Sequence, residues 1–245
     1  MRLHYERKGN GNEFIMLFPG ALGSTRTDFL PQLEKFNDKD FTLFAWDPPG
    51  YGKSRPPHRP WPTKFFQKDA DTAVALMKAL NPDKKWNLLG WSDGGITGLI
   101  VAGNHPEIVR KLVVWGSNAY VTAQDIMAYE KVRDVNAWSE KMRKPYEDVY
   151  GEDYFRTEWS NWCDAISRYF TEFNGDICKD AIHKIECPTL VLHGMKDPMV
   201  PNEHPEYLKK EISDCETHYF PEGKHNIHMR YADEFNKVVN NFLLK

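Results

Sequence analysis

A serine lies in a glycine-rich turn, "GWSDG", at residues 90–94. The pattern Gly-x-Ser-x-Gly can place a serine on a sharp turn between a strand and a helix, where its hydroxyl is exposed to substrate. Glycine is needed on either side because a β-carbon would clash in such a turn. An apolar run precedes the turn and a helical pattern follows it. Ser92 is therefore predicted to be a nucleophile, and the alternative is an ordinary glycine-rich turn that binds phosphate.

A serine nucleophile needs a base and a carboxylate that orients the base. Asp197 follows the strand-like run "TLVLHG", where loops that carry catalytic groups gather. Among the histidines near the C-terminus, His225 is favoured as the base because it lies in a glycine-containing loop before the last helix. His218 falls in a strand pattern, and His228 lies at a helix start. We predict that Ser92, Asp197 and His225 are catalytic, and the alternative for Asp197 is a turn-forming aspartate before proline.

Acyl transfer also requires two backbone N–H groups that stabilise the oxyanion of the transition state. The amide of Asp93 is expected to provide one, since it lies at the predicted N-terminus of a helix. The loop "PGALG" after the strand pattern at 14–18 is expected to provide the other. Ala21 is the first choice there and Leu22 the second, whereas Pro19 has no N–H to donate. A purely structural turn is the alternative.

These residues must be positioned by strands and helices that alternate along the chain. Apolar, β-rich runs occur at 14–18, 41–46, 86–91, 111–116 and 188–194, and helical patterns occur at 69–80, 96–102 and 229–244. Near-continuous apolar strands are typical of parallel sheets that are covered on both faces. The alternation therefore predicts a doubly wound, mostly parallel α/β sheet.

The alternation stops at residues 120–185, which are helical in composition and rich in tyrosine and tryptophan. Such a long interruption predicts a helical lid inserted between two strands. Its aromatic side chains are expected mainly to pack the lid on the body. The predicted organisation is thus a core in two parts, residues 1–119 and 186–245, with the lid between them.

The composition fits one soluble globular domain, with 245 residues, a hydrophobic fraction of 41% and a net charge of -3. No basic face suited to nucleic acid is indicated. No apolar run reaches the roughly 20 residues that span a bilayer. Residues 1–10 lack the apolar stretch of a secretory signal, and the four cysteines have no metal-binding spacing. We expect a cytoplasmic monomer that needs no metal or cofactor, or a mitochondrial one if a targeting segment has been removed.

Several motifs together resemble the α/β-hydrolase family. In chain order they are "FPGALGSTRTDF", "AWDPPGYGKSRPP", "LLGWSDGGITGL", "VLHGMKDPMVP" and "PEGKHNIH". The lid and the C-terminal segment are most similar to the biphenyl hydrolase-like branch of that family, so the resemblance covers nearly the whole chain. Two positions depart from the common pattern: Phe18-Pro19-Gly20 replaces a His-Gly pair, and Pro49 replaces an arginine. The resemblance implies the α/β-hydrolase fold with a lid, and a triad of Ser92, Asp197 and His225.

The resemblance further implies that Asp93 binds the α-amino group of an α-amino-acid ester. A carboxylate about 5 Å from a developing oxyanion destabilises it by about 3 kcal/mol at an effective dielectric constant near 20. An ammonium group on the substrate would offset this repulsion and form a charge-assisted hydrogen bond. The alternative is that Asp93 points outward and caps the helix. Leu22, Trp91 and Trp115 are further candidates for contacts with a small-molecule substrate.

The predicted function is a serine hydrolase that cleaves carboxylic esters of α-amino acids through an acyl-enzyme. Four alternatives remain open at this point. They are a general carboxylesterase, a C–C bond hydrolase, an aminopeptidase that shares amine recognition, and a ligand-binding protein of the same fold with little turnover. Haloalkane dehalogenase chemistry is disfavoured, because members with that activity resemble this fold with aspartate at the position of Ser92.

Overall fold

The computed structural model describes residues 2–245. Within that range seven strands form one sheet: β1 (Tyr5–Lys8), β2 (Glu13–Phe18), β3 (Phe41–Trp46), β4 (Trp86–Trp91), β5 (Val109–Trp115), β6 (Thr189–Gly194) and β7 (Cys215–Phe220). Their order across the sheet is β1-β3-β2-β4-β5-β6-β7. Only the pair of β1 and β3 is antiparallel among these neighbours. The predicted mostly parallel α/β sheet is confirmed.

Helices connect and cover the strands. They are α1 (Thr25–Lys35), α2 (Phe65–Leu80), α3 (Asp93–Asn104), α4 (Ala123–Lys131), α5 (Glu140–Tyr150), α6 (Glu152–Phe173), α7 (Lys179–Ile182), α8 (Glu203–Glu211), α9 (Ile227–Arg230) and α10 (Ala232–Leu244). Short 3₁₀ helices occur at Pro106–Ile108 and Val135–Ala137. None of the helices in residues 2–245 is both long and apolar enough to cross a membrane.

Both faces of the sheet are buried, which explains why the central strands are apolar without alternation. One apolar cluster joins α2, α3 and the lid to the sheet and includes Phe66, Leu99 and Trp162. The opposite cluster joins α1 and α10 to the sheet and includes Phe29 and Phe235. Every residue of β3, β4 and β6 is buried. The carboxyl ends of these strands therefore emerge from a rigid, two-sided core.

Two elements at the N-terminal end were not predicted. Strand β1 has the sequence "YERK" and is mostly exposed at the sheet edge, so it lacks an apolar run. Helix α1 contains Pro31 and is kinked at Phe29, where φ is -118° and ψ is 16°. Its local sequence therefore does not resemble a regular helix.

The predicted C-terminal helix over 229–244 is divided into α9 and α10 at Tyr231, whose φ is -122°.

Residues 120–185 contain α4, α5, α6 and α7 and lie in chain order between β5 and β6. The lid aromatics pack chiefly on one another. The Trp138 ring packs edge-on against Phe155 and Trp159, with ring centroids 5.7 and 4.7 Å away. The Tyr146 ring stacks on Phe155 at 5.1 Å. These contacts hold α5 against α6, whereas Tyr169 packs on Phe65 and Phe66 of α2 and so joins the lid to the body.

The root of the lid is tied to the core by a buried pair. Asp125 in α4 and His204 in α8 are joined by a hydrogen bond of 3.0 Å between Oδ2 and Nε2, and both side chains are buried. With Glu203 their ligand atoms lie within 4.8 Å of one another, a spacing that a metal ion could use. However, Asp125 Oδ2 already accepts hydrogen bonds from the amide and hydroxyl of Thr122. These bonds and the one to His204 all end on Oδ2, whereas Oδ1 of Asp125 and Nδ1 of His204 have no partner within residues 2–245.

Candidate active site

Ser92 lies at the junction of β4 and α3, with φ 53° and ψ -121°. A non-glycine residue in this region of backbone space is strained by about 1–3 kcal/mol, and such strain clusters at functional sites. The turn is held by a hydrogen bond of 3.0 Å from the Ser92 amide to the carbonyl of Trp115. The side chain is half-buried rather than enclosed. This conformation presents a serine hydroxyl at the carboxyl edge of the sheet.

The glycines that flank Ser92 are required by close backbone contacts. A Cβ on Gly90 would lie 2.4 Å from the carbonyl oxygen of Gly94. A Cβ on Gly94 would lie 2.0 Å from the carbonyl oxygen of Phe18, at the end of β2. Neither distance is tolerable for a real side chain. The two glycines thus allow α3 to begin directly against the loop that follows β2.

His225 and Asp197 are brought together by the loops after β7 and β6. The Nδ1 atom of His225 lies 2.8 Å from Asp197 Oδ2. The other carboxylate oxygen accepts hydrogen bonds from the amides of Met199 and Val200 at 2.8 and 3.1 Å. Because the Asp197 carboxylate is fixed in this way, the ring proton of His225 is assigned to Nδ1, the nitrogen that faces it. The Nε2 atom is then left as the basic nitrogen.

The pair is placed next to the serine turn by Trp91 and Gly116. The indole N–H of Trp91 donates to the His225 carbonyl at 2.9 Å. A Cβ on Gly116 would lie 3.0 Å from the His225 ring, and Gly116 follows Trp115, whose carbonyl accepts the Ser92 amide. The Ser92 hydroxyl makes no hydrogen bond to His225 among the described residues. Such catalytic bonds are often long before substrate binds.

The electrostatics of the pair favour an ionised aspartate and a basic histidine. Burial alone would lower the pKa of His225, but the adjacent Asp197 carboxylate more than compensates and raises it above the ordinary value. Burial alone would raise the pKa of Asp197, but His225 and the Met199 amide hold it below the ordinary value. The arrangement can therefore take a proton from a hydroxyl and stabilise the resulting imidazolium.

The loop after β2 forms a tight turn over Ser92. A Cβ on Gly20 would lie 3.4 Å from the Cβ of Ser92. The Gly23 amide donates to the Gly20 carbonyl at 3.0 Å, which leaves Ala21 and Leu22 at the centre of the turn. The amides of Ala21 and Asp93 donate to no protein acceptor within residues 2–245. Both are therefore free to serve a substrate oxygen.

Asp28 holds this turn through a side-chain hydrogen bond, and the sequence analysis did not identify this residue. Its Oδ2 accepts the Gly20 amide at 2.9 Å, and its Oδ1 accepts the Thr27 hydroxyl at 2.7 Å. Burial raises the pKa of Asp28 to about 7, although both hydrogen bonds oppose the rise. A carboxylate in α1 that reaches a turn eight residues earlier has no local sequence signature. Only the fold reveals its contact.

The side chain of Asp93 points inward, toward the lid. It is 8% exposed, and its Oδ2 accepts the indole N–H of Trp162 in α6 at 2.7 Å. No hydrogen bond from this carboxylate caps α3. Burial raises the pKa of Asp93 to about 7, while Trp162 and the more distant Arg59 oppose the rise. The outward, helix-capping alternative is therefore not what the structure shows.

One predicted substrate contact, Trp115, does not fit the structure. Trp115 is fully buried in the cluster with α10, and its indole N–H donates to His228 Nδ1 at 2.9 Å. His228 is fully buried as well, and its Nε2 bonds to the Asp28 carbonyl at 3.0 Å. Burial lowers the pKa of His228 to about 3, so this ring is neutral. Trp115 and His228 thus form a structural support on the far side of the sheet.

Leu22 and Trp91 also have structural roles. The side chain of Leu22 is fully buried, and its carbonyl accepts the Tyr150 hydroxyl at 2.9 Å, a contact between the turn and the lid. Trp91 is 8% exposed and holds the His225 loop. Their burial leaves little side-chain surface for a substrate. The sequence placed Trp91 and Trp115 near the site, but it did not show which face of the sheet each indole occupies.

Comparisons with known proteins identify the family of this chain. The alpha/beta hydrolase family model matches residues 15–238. The chain belongs to the α/β hydrolase family. Serine hydrolase BPHL of Mus musculus is 52% identical over 243 residues, covering 99% of this chain and 83% of that protein. The Homo sapiens protein of the same name is 51% identical over 243 residues, with the same coverage.

These identities confirm the predicted resemblance to biphenyl hydrolase-like members of the α/β hydrolase family, and the chain is a serine hydrolase. Among solved structures, the meta-cleavage product hydrolase CumD of Pseudomonas fluorescens IP01 has a TM-score of 0.79 to this fold. It is 20% identical, and the match covers 98% of this chain and 93% of that one. At this identity the likeness shows the α/β hydrolase fold alone.

Proposed function

We propose that this serine hydrolase cleaves carboxylic esters of α-amino acids, with Ser92, Asp197 and His225 as its triad and Asp93 as the residue that selects the substrate ammonium. One observation supports the selectivity most strongly. The carboxylate of Asp93 is buried directly after the nucleophile, and its hydrogen-bond donor is the neutral indole of Trp162. A buried carboxylate without a cation is unfavourable, and a cationic substrate would stabilise it.

The proposed reaction is acyl transfer in two steps. His225 Nε2 accepts the Ser92 proton while Oγ attacks the ester carbonyl, and the Ala21 and Asp93 amides stabilise the oxyanion. His225 then protonates the departing alcohol, which leaves an aminoacyl-Ser92. Water, deprotonated by His225, attacks this acyl-enzyme, and His225 returns the proton to Ser92 Oγ as the bond to the acyl group breaks and the amino acid is released. Asp197 holds the imidazole and stabilises its cationic form throughout.

The carboxylate of Asp93 shapes which ester reacts. Its repulsion of an oxyanion about 5 Å away, of about 3 kcal/mol, corresponds to a rate loss of roughly 100-fold. An α-ammonium is two bonds from the ester carbonyl and can lie between the two negative groups. A neutral ester supplies no such compensation. This argument favours α-amino-acid esters over the substrates of a general carboxylesterase or a C–C bond hydrolase.

The substitution Asp93→Asn tests the selectivity. Asparagine keeps the shape of the side chain and an oxygen that can accept the Trp162 N–H, but removes the charge. We expect kcat/KM for phenylalanine ethyl ester to fall by about 100-fold. For ethyl 3-phenylpropanoate, which lacks the amine, kcat/KM should stay the same or rise, because the repulsion of the oxyanion is gone. Equal losses on both esters would contradict the proposal.

The amine preference should also depend on pH, because burial raises the pKa of Asp93 to about 7. Asp93 becomes ionised as the pH rises through that value, whereas an α-ammonium with a pKa of about 8 is lost above it. The ratio of kcat/KM for the amino ester to kcat/KM for its deamino analogue should therefore rise and then fall with pH. Ionisation of His225 affects both esters and cancels from the ratio.

Replacement of Trp162 by phenylalanine should move the acid limb of the pH profile of that ratio to higher pH. The indole N–H stabilises the ionised form of Asp93, so its loss raises the pKa of the carboxylate further. Trp159→Phe is the matched control: its ring stacks on Trp162 at 4.9 Å, but its N–H donates to the Val132 carbonyl. An acid limb that stays in place in Trp162→Phe, or moves equally in both variants, would contradict this assignment.

A further inference from the structure

A small cavity lies beside Asp93, beneath the turn that covers Ser92. It has a volume of about 10 Å³ and is lined by Asp93, Asp69, Arg59, Tyr51, Trp46 and Gly20, among others. That volume accommodates one group of the size of a water molecule, and an ammonium head is of that size. Gly20 also lines the approach to the nucleophile, since a Cβ there would lie 3.4 Å from Ser92 Cβ. The cavity therefore adjoins the reacting centre.

The charges around the cavity favour a cation. Arg59 and Asp69 form a buried bidentate ion pair, with nitrogen–oxygen distances of 3.2 and 2.5 Å. Each of these two residues compensates the other. The remaining charged group is Asp93, so the lining carries one negative charge that no residue of the described chain pairs. A neutral water molecule would leave that charge unbalanced, whereas an ammonium would balance it.

Tyr51 supplies a hydroxyl that the mechanism does not use. The side chain is 3% exposed, and its Oη has no hydrogen-bond partner within residues 2–245. Burial raises the pKa of Tyr51 well above its ordinary value, and the nearby Leu22 amide opposes that rise. The Arg59 guanidinium covers the ring, with its central carbon 4.3 Å from the centroid. Buried hydroxyls without a partner are uncommon, and the lone pairs of this one can accept an N–H.

We infer that Tyr51 is a second ligand for the α-ammonium of the substrate, with its hydroxyl oxygen accepting one ammonium N–H while Asp93 binds another. This inference rests on the proposed function, because it assumes that the substrate carries an ammonium. The inference also extends that function. Charge alone would attract any cation, whereas two acceptors that line the same water-sized cavity would fix a primary ammonium. N-dimethylated amino esters, which offer one N–H and more bulk, should be poor substrates.

Tyr51→Phe tests the inference, since it removes only the hydroxyl oxygen. We expect kcat/KM for phenylalanine ethyl ester to fall by roughly tenfold or more, the effect of losing one charge-assisted hydrogen bond. The inhibition constant of phenylalaninol, an amine without an ester, should rise by a similar factor. Ethyl 3-phenylpropanoate hydrolysis and inhibition by 3-phenylpropanol should be unchanged. Tyr154→Phe is the control, because Tyr154 also has a buried hydroxyl without a protein partner, outside the cavity lining.

The same four compounds assayed with Asp93→Asn separate the two ideas. If Asp93→Asn abolishes the preference for the amine but Tyr51→Phe does not reduce it, the inference fails and the proposed function stands. If Asp93→Asn leaves the preference intact, the proposed function fails. Equal losses on amino and deamino compounds in Tyr51→Phe would overturn the inference, since the hydroxyl would then act on the acyl group. Wild-type rates on N,N-dimethylphenylalanine ethyl ester would overturn it too.

Discussion

Replacement of Ser92 by alanine should lower kcat for ester hydrolysis by about 10⁶-fold, the loss that removal of a serine nucleophile from a triad produces. The reason is that His225 and the oxyanion donors cannot form an acyl-enzyme without the hydroxyl. Alanine has the same backbone preferences at φ 53°, so the strained turn and the melting temperature should change little. Initial-rate assays and labelling by a fluorophosphonate measure the effect, and the label should be lost.

Ser117→Ala is a suitable control for this experiment. Ser117 is buried close to Gly95 in α3, and its hydroxyl has no partner among the described residues. It should retain both turnover and labelling. If Ser92→Ala kept labelling and a substantial rate while Ser117→Ala lost them, the nucleophile would have been assigned to the wrong serine.

Asp197→Asn should lower kcat by about 10⁴-fold, the effect seen when the orienting carboxylate of a serine triad becomes an amide. The amide NH₂ can donate to His225 Nδ1, which places the imidazole proton on Nε2 and removes the base that Ser92 needs. Loss of the negative charge should also lower the pKa of His225, which Asp197 now raises. The acid limb of the residual pH–rate profile should consequently move to lower pH.

Asp125→Asn provides the matched control for Asp197→Asn. It changes another buried carboxylate that bonds to a histidine, at 3.0 Å, but at the root of the lid. We expect it to reduce the melting temperature and to leave kcat and the pH profile of the folded enzyme nearly unchanged. Similar kcat losses in both variants would indicate a general effect of buried aspartates rather than a triad.

The sequence predicted the fold and the order of the three candidate catalytic residues because both depend on local patterns. Apolar runs mark β2 to β6, and Ser92, Asp197 and His225 each follow a strand directly or in the next loop. In a parallel sheet the carboxyl ends of strands share one edge, so residues that follow them are expected to converge. Local sequence was sufficient for this part of the site.

Contacts between distant segments could not be predicted in the same way. Trp162 contacts Asp93 from 69 residues away, and Asp28 in α1 accepts the Gly20 amide of the loop after β2. Trp115 was a predicted substrate contact, but its side chain lies in the apolar cluster between the sheet and helices α1 and α10. Which face a residue occupies at a strand end depends on the pleat and on the loop that follows, neither of which the local sequence resolves.

The most direct test of the proposed function is the ratio of kcat/KM for phenylalanine ethyl ester to kcat/KM for ethyl 3-phenylpropanoate, measured on the unmodified enzyme at pH 7.5. The two substrates differ only in the α-amine. The buried Asp93 carboxylate predicts a ratio of about 100 or more in favour of the amino ester. A ratio near one would show that Asp93 does not select an ammonium and would contradict the proposed function.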